Sequence, residues 1–133
     1  MIYNSKKKAK IIQAKASYPF KSQLEKIVYG ILKNKFPNLE INVNKRGLLK
    51  SNKKFELDLY FPKYNIGIEI QGPLHFLNES IILKDYEKKR LFLYEKNIKV
   101  IYVYTNTHEN KKHSIKKCIN IINNERKKGN QRR

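Results

Sequence analysis

Residues 53–72 read Lys53-Lys54-Phe55-Glu56-Leu57-Asp58-Leu59-Tyr60-Phe61-Pro62-Lys63-Tyr64-Asn65-Ile66-Gly67-Ile68-Glu69-Ile70-Gln71-Gly72, and their alternation decides the fold class. Phe55, Leu57, Leu59 and Phe61 alternate with Glu56, Asp58 and Tyr60, which predicts a strand over Lys53–Phe61 with two unlike faces. Pro62 to Asn65 reads as a short turn, and Ile66 to Gln71 alternates again until Gly72-Pro73 ends the run. The two strands form a predicted hairpin.

Outward from the hairpin, the periodicity lengthens. Leu24, Ile27, Val28, Ile31 and Leu32 recur at helical spacing after Ser22, and Pro37 closes that helix. A strand is expected from about Leu39 to Asn44, followed by a polar turn at Lys45-Arg46-Gly47. On the other side, residues 81–97 read as a helix with Lys88, Lys89 and Arg90 on its exposed side. The β-branched and aromatic run Val100-Ile101-Tyr102-Val103-Tyr104 reads as a buried strand. A last helix carries Ile115, Cys118, Ile119 and Ile122 at core spacing. The expected order is αβββαβ plus a C-terminal helix: an α/β domain with a mixed four-stranded sheet flanked by helices. Residues 1–17 form an expected basic N-terminal arm, 18–124 the domain, and 125–133 a basic C-terminal tail.

The chain has 133 residues, with 30 Lys plus Arg against 11 Asp plus Glu, a formal charge of +19. A field of that size repels itself unless a polyanion is bound, and nucleic acid is the commonest such partner. The competing reading is a lysine-rich solvated surface. No stretch is apolar for long enough to span a bilayer, and the lysines are too dispersed for one membrane-surface helix. The Lys-rich start has no signal-peptide core, and the single Cys118 forms no internal disulfide, so an intracellular location is expected. Cys118 has no Cys or His at ligand spacing, so no zinc site is expected.

Two acids and an amide fall where a divalent cation could use them. Glu69 and Gln71 are two residues apart on one strand and therefore share a side. Asp58 lies across from them if the hairpin pairs in the register its turn implies. Hard oxygen donors gathered in this way suit Mg²⁺, which binds through one or two carboxylates plus substrate phosphate. A metal so held activates water and stabilises the charge that develops during phosphodiester hydrolysis.

From Ser22 to about Asn124 this arrangement resembles the PD-(D/E)XK nuclease superfamily, which implies a restriction-endonuclease-like core. The resemblance places Glu25 on the first helix, Asp58 on the first hairpin strand and Glu69 at the E-x-K position as metal ligands. The segment Ile68-Glu69-Ile70-Gln71-Gly72-Pro73-Leu74-His75-Phe76 is similar to the I-E-x-D-G-x-x-H segment of the branch related to very-short-patch repair and homing endonucleases. That branch implies added roles for His75 and Asp85. Gln71 stands where the superfamily has Lys. It can orient water through its carbonyl but supplies no positive charge, so Lys54, Lys84 or Lys88 would have to provide one. The implied function is Mg²⁺-dependent hydrolysis of DNA, with Asp58, Glu69, Gln71, His75 and Asp85 as the catalytic set. The same segment, through Gly72-Pro73-Leu74-His75-Phe76, is also similar to the RAP domain. That likeness implies a non-catalytic RNA-binding protein of an organellar ribosome or other ribonucleoprotein, in a mitochondrion or plastid rather than the cytoplasm. A third reading is an accessory subunit that cuts only beside a protein partner or as a homodimer.

Each residue has a plainer reading beside the functional one. Ser22-x-x-Glu25 is a capping box. Asp58 can pair with a surface Lys, although Asp is disfavoured inside strands. Glu69 lies between two isoleucines, where an unpartnered carboxylate is costly. Gln71 and His75 can serve as structural hydrogen-bonders, and Asp85 can pair with Lys88 or Lys89 on its own helix. The residues expected to contact phosphates are Lys6, Lys7, Lys8 and Lys10 in the arm, Lys45, Arg46, Lys50, Lys53 and Lys54 near the hairpin, and Lys84, Lys88, Lys89 and Arg90 on the helix. Such contacts position nucleic acid without reading its bases.

Overall fold

The computed structural model describes residues 20–72 and 79–131, and these form the expected α/β domain. In chain order the elements are α1 (Gln23–Lys35), β1 (Asn42–Lys45), β2 (Leu57–Phe61), β3 (Ile66–Gln71), α2 (Glu79–Lys96), β4 (Lys99–Tyr104) and α3 (His108–Gln131). The four strands form one sheet in sequence order, β1-β2-β3-β4. The first two pairings are antiparallel, and β4 runs parallel to β3 after the α2 crossover. No helix of the described residues is long and apolar enough to cross a membrane.

Two apolar layers hold the sheet. On one side Val28, Leu32 and Phe36 of α1 and its C-cap meet Leu59, Phe61, Ile66, Ile68, Ile101 and Val103, together with Ile115, Cys118 and Ile122 of α3. Cys118 is a core residue as expected, and burial pushes its thiol up to about 12. On the other side Phe92 of α2 packs with Leu49, Leu57, Tyr60, Ile98 and Val100. The helical spacing of α1 is wider than its contact face. Val28 and Leu32 are fully buried, whereas Ile27 and Ile31 are exposed, because the face toward the sheet is set by positions 25, 28, 32 and 36. α3 starts from Thr107, whose side-chain oxygen accepts the Asn110 N–H at 3.0 Å. It then runs through the basic segment after residue 124 as far as Gln131.

Two predicted strands are shorter than their alternation implied. β1 begins at Asn42, with Leu39 already in the core as part of the preceding turn, and β2 begins at Leu57 rather than Lys53. The alternation also breaks inside β2. Leu59 and Phe61 lie in the layer under α1 and α3, but Leu57 and Phe55 pack with Tyr60 in the α2 layer. The break falls at Asp58, where hairpin pairing stops: the last Cα partners are Leu59 and Ile68. Beyond that point the Asp58 carboxylate, through Oδ2, accepts the Ile70 N–H at 2.8 Å, replacing a ladder bond with a side-chain bond.

Gly67 belongs to the same arrangement. A Cβ on Gly67 would come 2.7 Å from Cδ1 of Leu57, which has crossed to its side of the sheet and is fully buried. Gly67→Ala is expected to cost about 1–3 kcal/mol, as overpacking does. In urea unfolding, the double variant with Leu57→Ala should lose less than the sum of the single losses, because the clash goes with the leucine. Strict additivity would contradict this packing.

Candidate functional site

The site lies where the sheet splays between β2 and β3, over the start of α1 and under the middle of α2. Glu25 and Glu69 are 3% and 6% exposed, Gln71 is 5% exposed, and Asp58 is partly buried. Three different elements, α1, β2 and β3, carry these side chains, and the break at Asp58 turns its carboxylate toward β3.

Asp58 is the hub. Its charge acts on both Glu25 and Glu69. Burial first, and then Asp58 through its charge and a shared hydrogen bond, raise the Glu69 carboxyl to about 9 against the opposing pull of Lys88. A shared hydrogen bond between two carboxylates requires a proton on one of them. Burial and the neighbouring Asp58 thus favour the protonated form of Glu69. Lys88 reaches in from α2, places its ammonium on Glu69 Oε1 and opposes that shift. Lys88 is therefore not on the solvent side of its helix beside Lys89 and Arg90, as its spacing predicts. Lys54 and Lys84, the other residues considered for a cation, are exposed.

Glu25 is raised to about 7, by burial and by the charge of Asp58. Its carboxylate accepts the backbone N–H of Lys21 and the side-chain amide of Asn44. The capping box is half formed: Ser22 Oγ accepts the Glu25 N–H at 3.2 Å, but the returning bond goes to Lys21. Glu25 Oε1 is buried without a hydrogen-bond partner. An orphaned carboxylate oxygen is costly in a folded interior and marks a place where a cation or donor is wanted.

Three participants have only faint signals in the sequence. Asn44 lies in β1 between Val43 and Lys45, which pair with Leu59 and Leu57, and so sits level with Asp58. Its φ of 53° lies in the left-handed region, which Asn tolerates better than most residues and which often accompanies a functional constraint. Glu56, expected on the polar face, is buried and pairs with both Lys21 and Arg46. These cations hold the Glu56 carboxyl below the usual range despite its burial. Lys21 also feels Asp58 and Glu25, so a positive charge flanks the site on the α1 side.

The other expected site residues fall into two groups. Asp85 is one turn of α2 before Lys88, and its backbone carbonyl accepts the Tyr102 hydroxyl at 2.7 Å. Tyr102 is the β4 register partner of Glu69, so Asp85 lies beside the site. His75 and the arm lysines Lys6, Lys7 and Lys8 lie outside the described residues. Lys45, Lys53, Lys54, Lys84, Lys89 and Arg90 are exposed or half-buried on the surface, and Arg46 is an exposed side chain tied to Glu56.

The donors fit a hard divalent cation. Asp58, Glu69 and Glu25 offer carboxylate oxygens, burial raises the carboxyls of Glu25 and Glu69, and Glu25 Oε1 is buried without a hydrogen-bond partner. Among the described residues no three His, Cys, Asp or Glu side chains form a ready-made cage.

The raised Glu25 carboxyl makes stability depend on pH. The folded chain binds this proton more tightly than the unfolded chain, so the stabilisation is full below the ordinary carboxylate value and is lost as pH rises through about 7. In EDTA, Glu25→Gln is expected to raise unfolding stability at pH 8 by on the order of 1 kcal/mol and to have little effect at pH 4. Urea midpoints at the two pH values measure this, and an equal effect at both would contradict it.

Comparison with protein-family models, with curated proteins and with solved structures finds no match to this chain.

Proposed function

We propose that this chain is a divalent-metal-dependent nuclease that hydrolyses phosphodiester bonds, built as a variant of the PD-(D/E)XK arrangement. One observation carries the reading: Asp58 and Glu69 meet in one hydrogen-bonded pair where the hairpin pairing stops, with the ammonium of Lys88 directly on Glu69. Two carboxylates held against their own repulsion inside a chain of charge +19 are poorly explained as structural groups. They are well explained as cation ligands facing a polyanion.

In this reading Asp58 and Glu69 hold Mg²⁺, and Glu25 holds it directly or through water. The cation supplies water activation and charge stabilisation at the scissile phosphate. The chain's own residues do the rest. The Ile70 N–H fixes the Asp58 carboxylate, and Lys88 replaces the positive charge that Gln71 does not provide. Gln71 offers an amide two residues from Glu69, on the same face, that can orient water. Lys21 and Arg46 flank the α1 side, where phosphates would approach.

The test is incubation of supercoiled plasmid and of structured RNA with the purified chain in Mg²⁺, Mn²⁺ or EDTA. Metal-dependent nicking of DNA is expected, rising with pH as the raised Glu69 carboxyl gives up its proton. Cleavage of RNA alone would keep the chemistry and change the substrate. Tight, metal-independent RNA binding without cleavage in any metal would replace this reading with the RAP-like one.

A further inference from the structure

We infer that the open edge of the sheet is a second nucleic-acid contact, a groove along β4 that takes the phosphate backbone beyond the candidate site. β4 pairs with β3 on one side only, and among the described elements no strand covers its other side. A cavity of about 150 Å³ runs along that edge, lined by Lys89 of α2, Lys99, Tyr102 and Tyr104 of β4, and Lys117 of α3. The three lysines come from both helical layers and from the strand between them, and all are exposed. None of the described residues that line the groove is acidic. Three ammonium groups around one small polar hollow, without a carboxylate to balance them, match a run of phosphates.

Continuity with the site supports the same ligand. Tyr102 is the register partner of Glu69 on the adjacent strand, so the groove begins one strand spacing, about 5 Å, from the proposed metal ligand. Lys89 stands over the Tyr102 ring, 5.3 Å from its centroid, and so forms a cationic wall between the two. A backbone that places one phosphate at Glu69 and Lys88 can lay the following ones along Lys89, Lys99 and Lys117. A second copy of this chain is a poor occupant, because it would bring its own net positive charge to the same edge. The inference rests on the nucleic-acid reading for its ligand but not on cleavage.

The experiment measures binding of a 30-base-pair duplex in EDTA, so that no cleavage intervenes, across a salt series. The triple variant Lys89→Ala, Lys99→Ala and Lys117→Ala is expected to bind on the order of tenfold more weakly at 0.1 M salt, and the slope of log K against log salt should fall by roughly 2–3. An equal-charge control, Lys35→Ala, Lys63→Ala and Lys127→Ala, should keep the parent slope. Equal losses in both triples, or none in the first, would overturn the inference. Lysine acetylation of the unaltered protein adds a second readout: Lys99 and Lys117 should be protected by the duplex. Protection without metal-dependent cutting would leave the groove standing and remove the nuclease reading. Cutting without protection would do the reverse.

Discussion

Glu69→Gln is expected to lower the rate of metal-dependent cleavage by on the order of 10²–10³-fold, the scale on which enzymes lose rate when one preorganised charge-stabilising group is removed. The substitution keeps the shape of the side chain and removes its capacity to carry charge. Folding should survive it. Glu69 is buried and its carboxyl is raised by burial and by Asp58, so a neutral amide costs the fold little, and in EDTA near neutral pH the variant should be at least as stable as the parent. Loss of cleavage with retained stability is the signature of a ligand rather than a structural group. Parallel loss of both would mean that Glu69 holds the sheet together instead. Single-turnover rates and urea unfolding, on the same preparation, separate these outcomes.

Lys88→Met should lower cleavage by about 10²-fold, because the ammonium on Glu69 is the positive charge nearest the proposed chemistry. The methylene stem is largely kept by Met, so packing under α2 changes little. Removing one partner of a buried ion pair usually costs about 3–5 kcal/mol because a bare charge is left behind. Here the cost should be smaller, since Glu69 can keep its proton. The informative partner substitution is Gln71→Lys, which returns a cation to the strand position two residues from Glu69 and on the same face. If Lys88 supplies what Gln71 lacks, the Lys88→Met/Gln71→Lys pair should recover a large part of the lost rate. Failure to recover, with the fold intact, would assign Lys88 to positioning Glu69 alone.

The fold class was legible because three signals agreed: the alternating hairpin, the helical spacing after Ser22, and the β-branched run at Val100–Tyr104. Each is local. What escaped was set by contacts between elements. The crossing of Leu57 to the α2 side depends on Asp58 bonding to Ile70 across the hairpin, which no periodicity within one strand reveals. The inward turn of Lys88 depends on the pull of Glu69 from β3, so a helix that reads as Lys88, Lys89 and Arg90 facing solvent divides its cations between two tasks. Ile27 and Ile31 joined an apolar stripe that tertiary packing left half uncovered.

The acids of the site were legible for a chemical reason. Asp58 and Glu69 interrupt strands where carboxylates are disfavoured, so their presence needed an explanation beyond propensity. Glu25 could be read as a cap, and the structure gives it half of a capping box and a place beside Asp58. Asn44 and Lys21 carried almost no signal. One is a polar residue in a short edge strand and the other is a lysine among many, and both matter only because Glu25 and Asp58 are beside them.

The most direct test of the central claim is single-turnover cleavage of supercoiled plasmid by the parent and by Glu69→Gln, side by side, in Mg²⁺, Mn²⁺ and EDTA. The account predicts nicking by the parent in either metal, none in EDTA, and a loss on the order of 10²-fold or more in the variant. Equal nicking by parent and variant, or nicking that persists in EDTA, would contradict it.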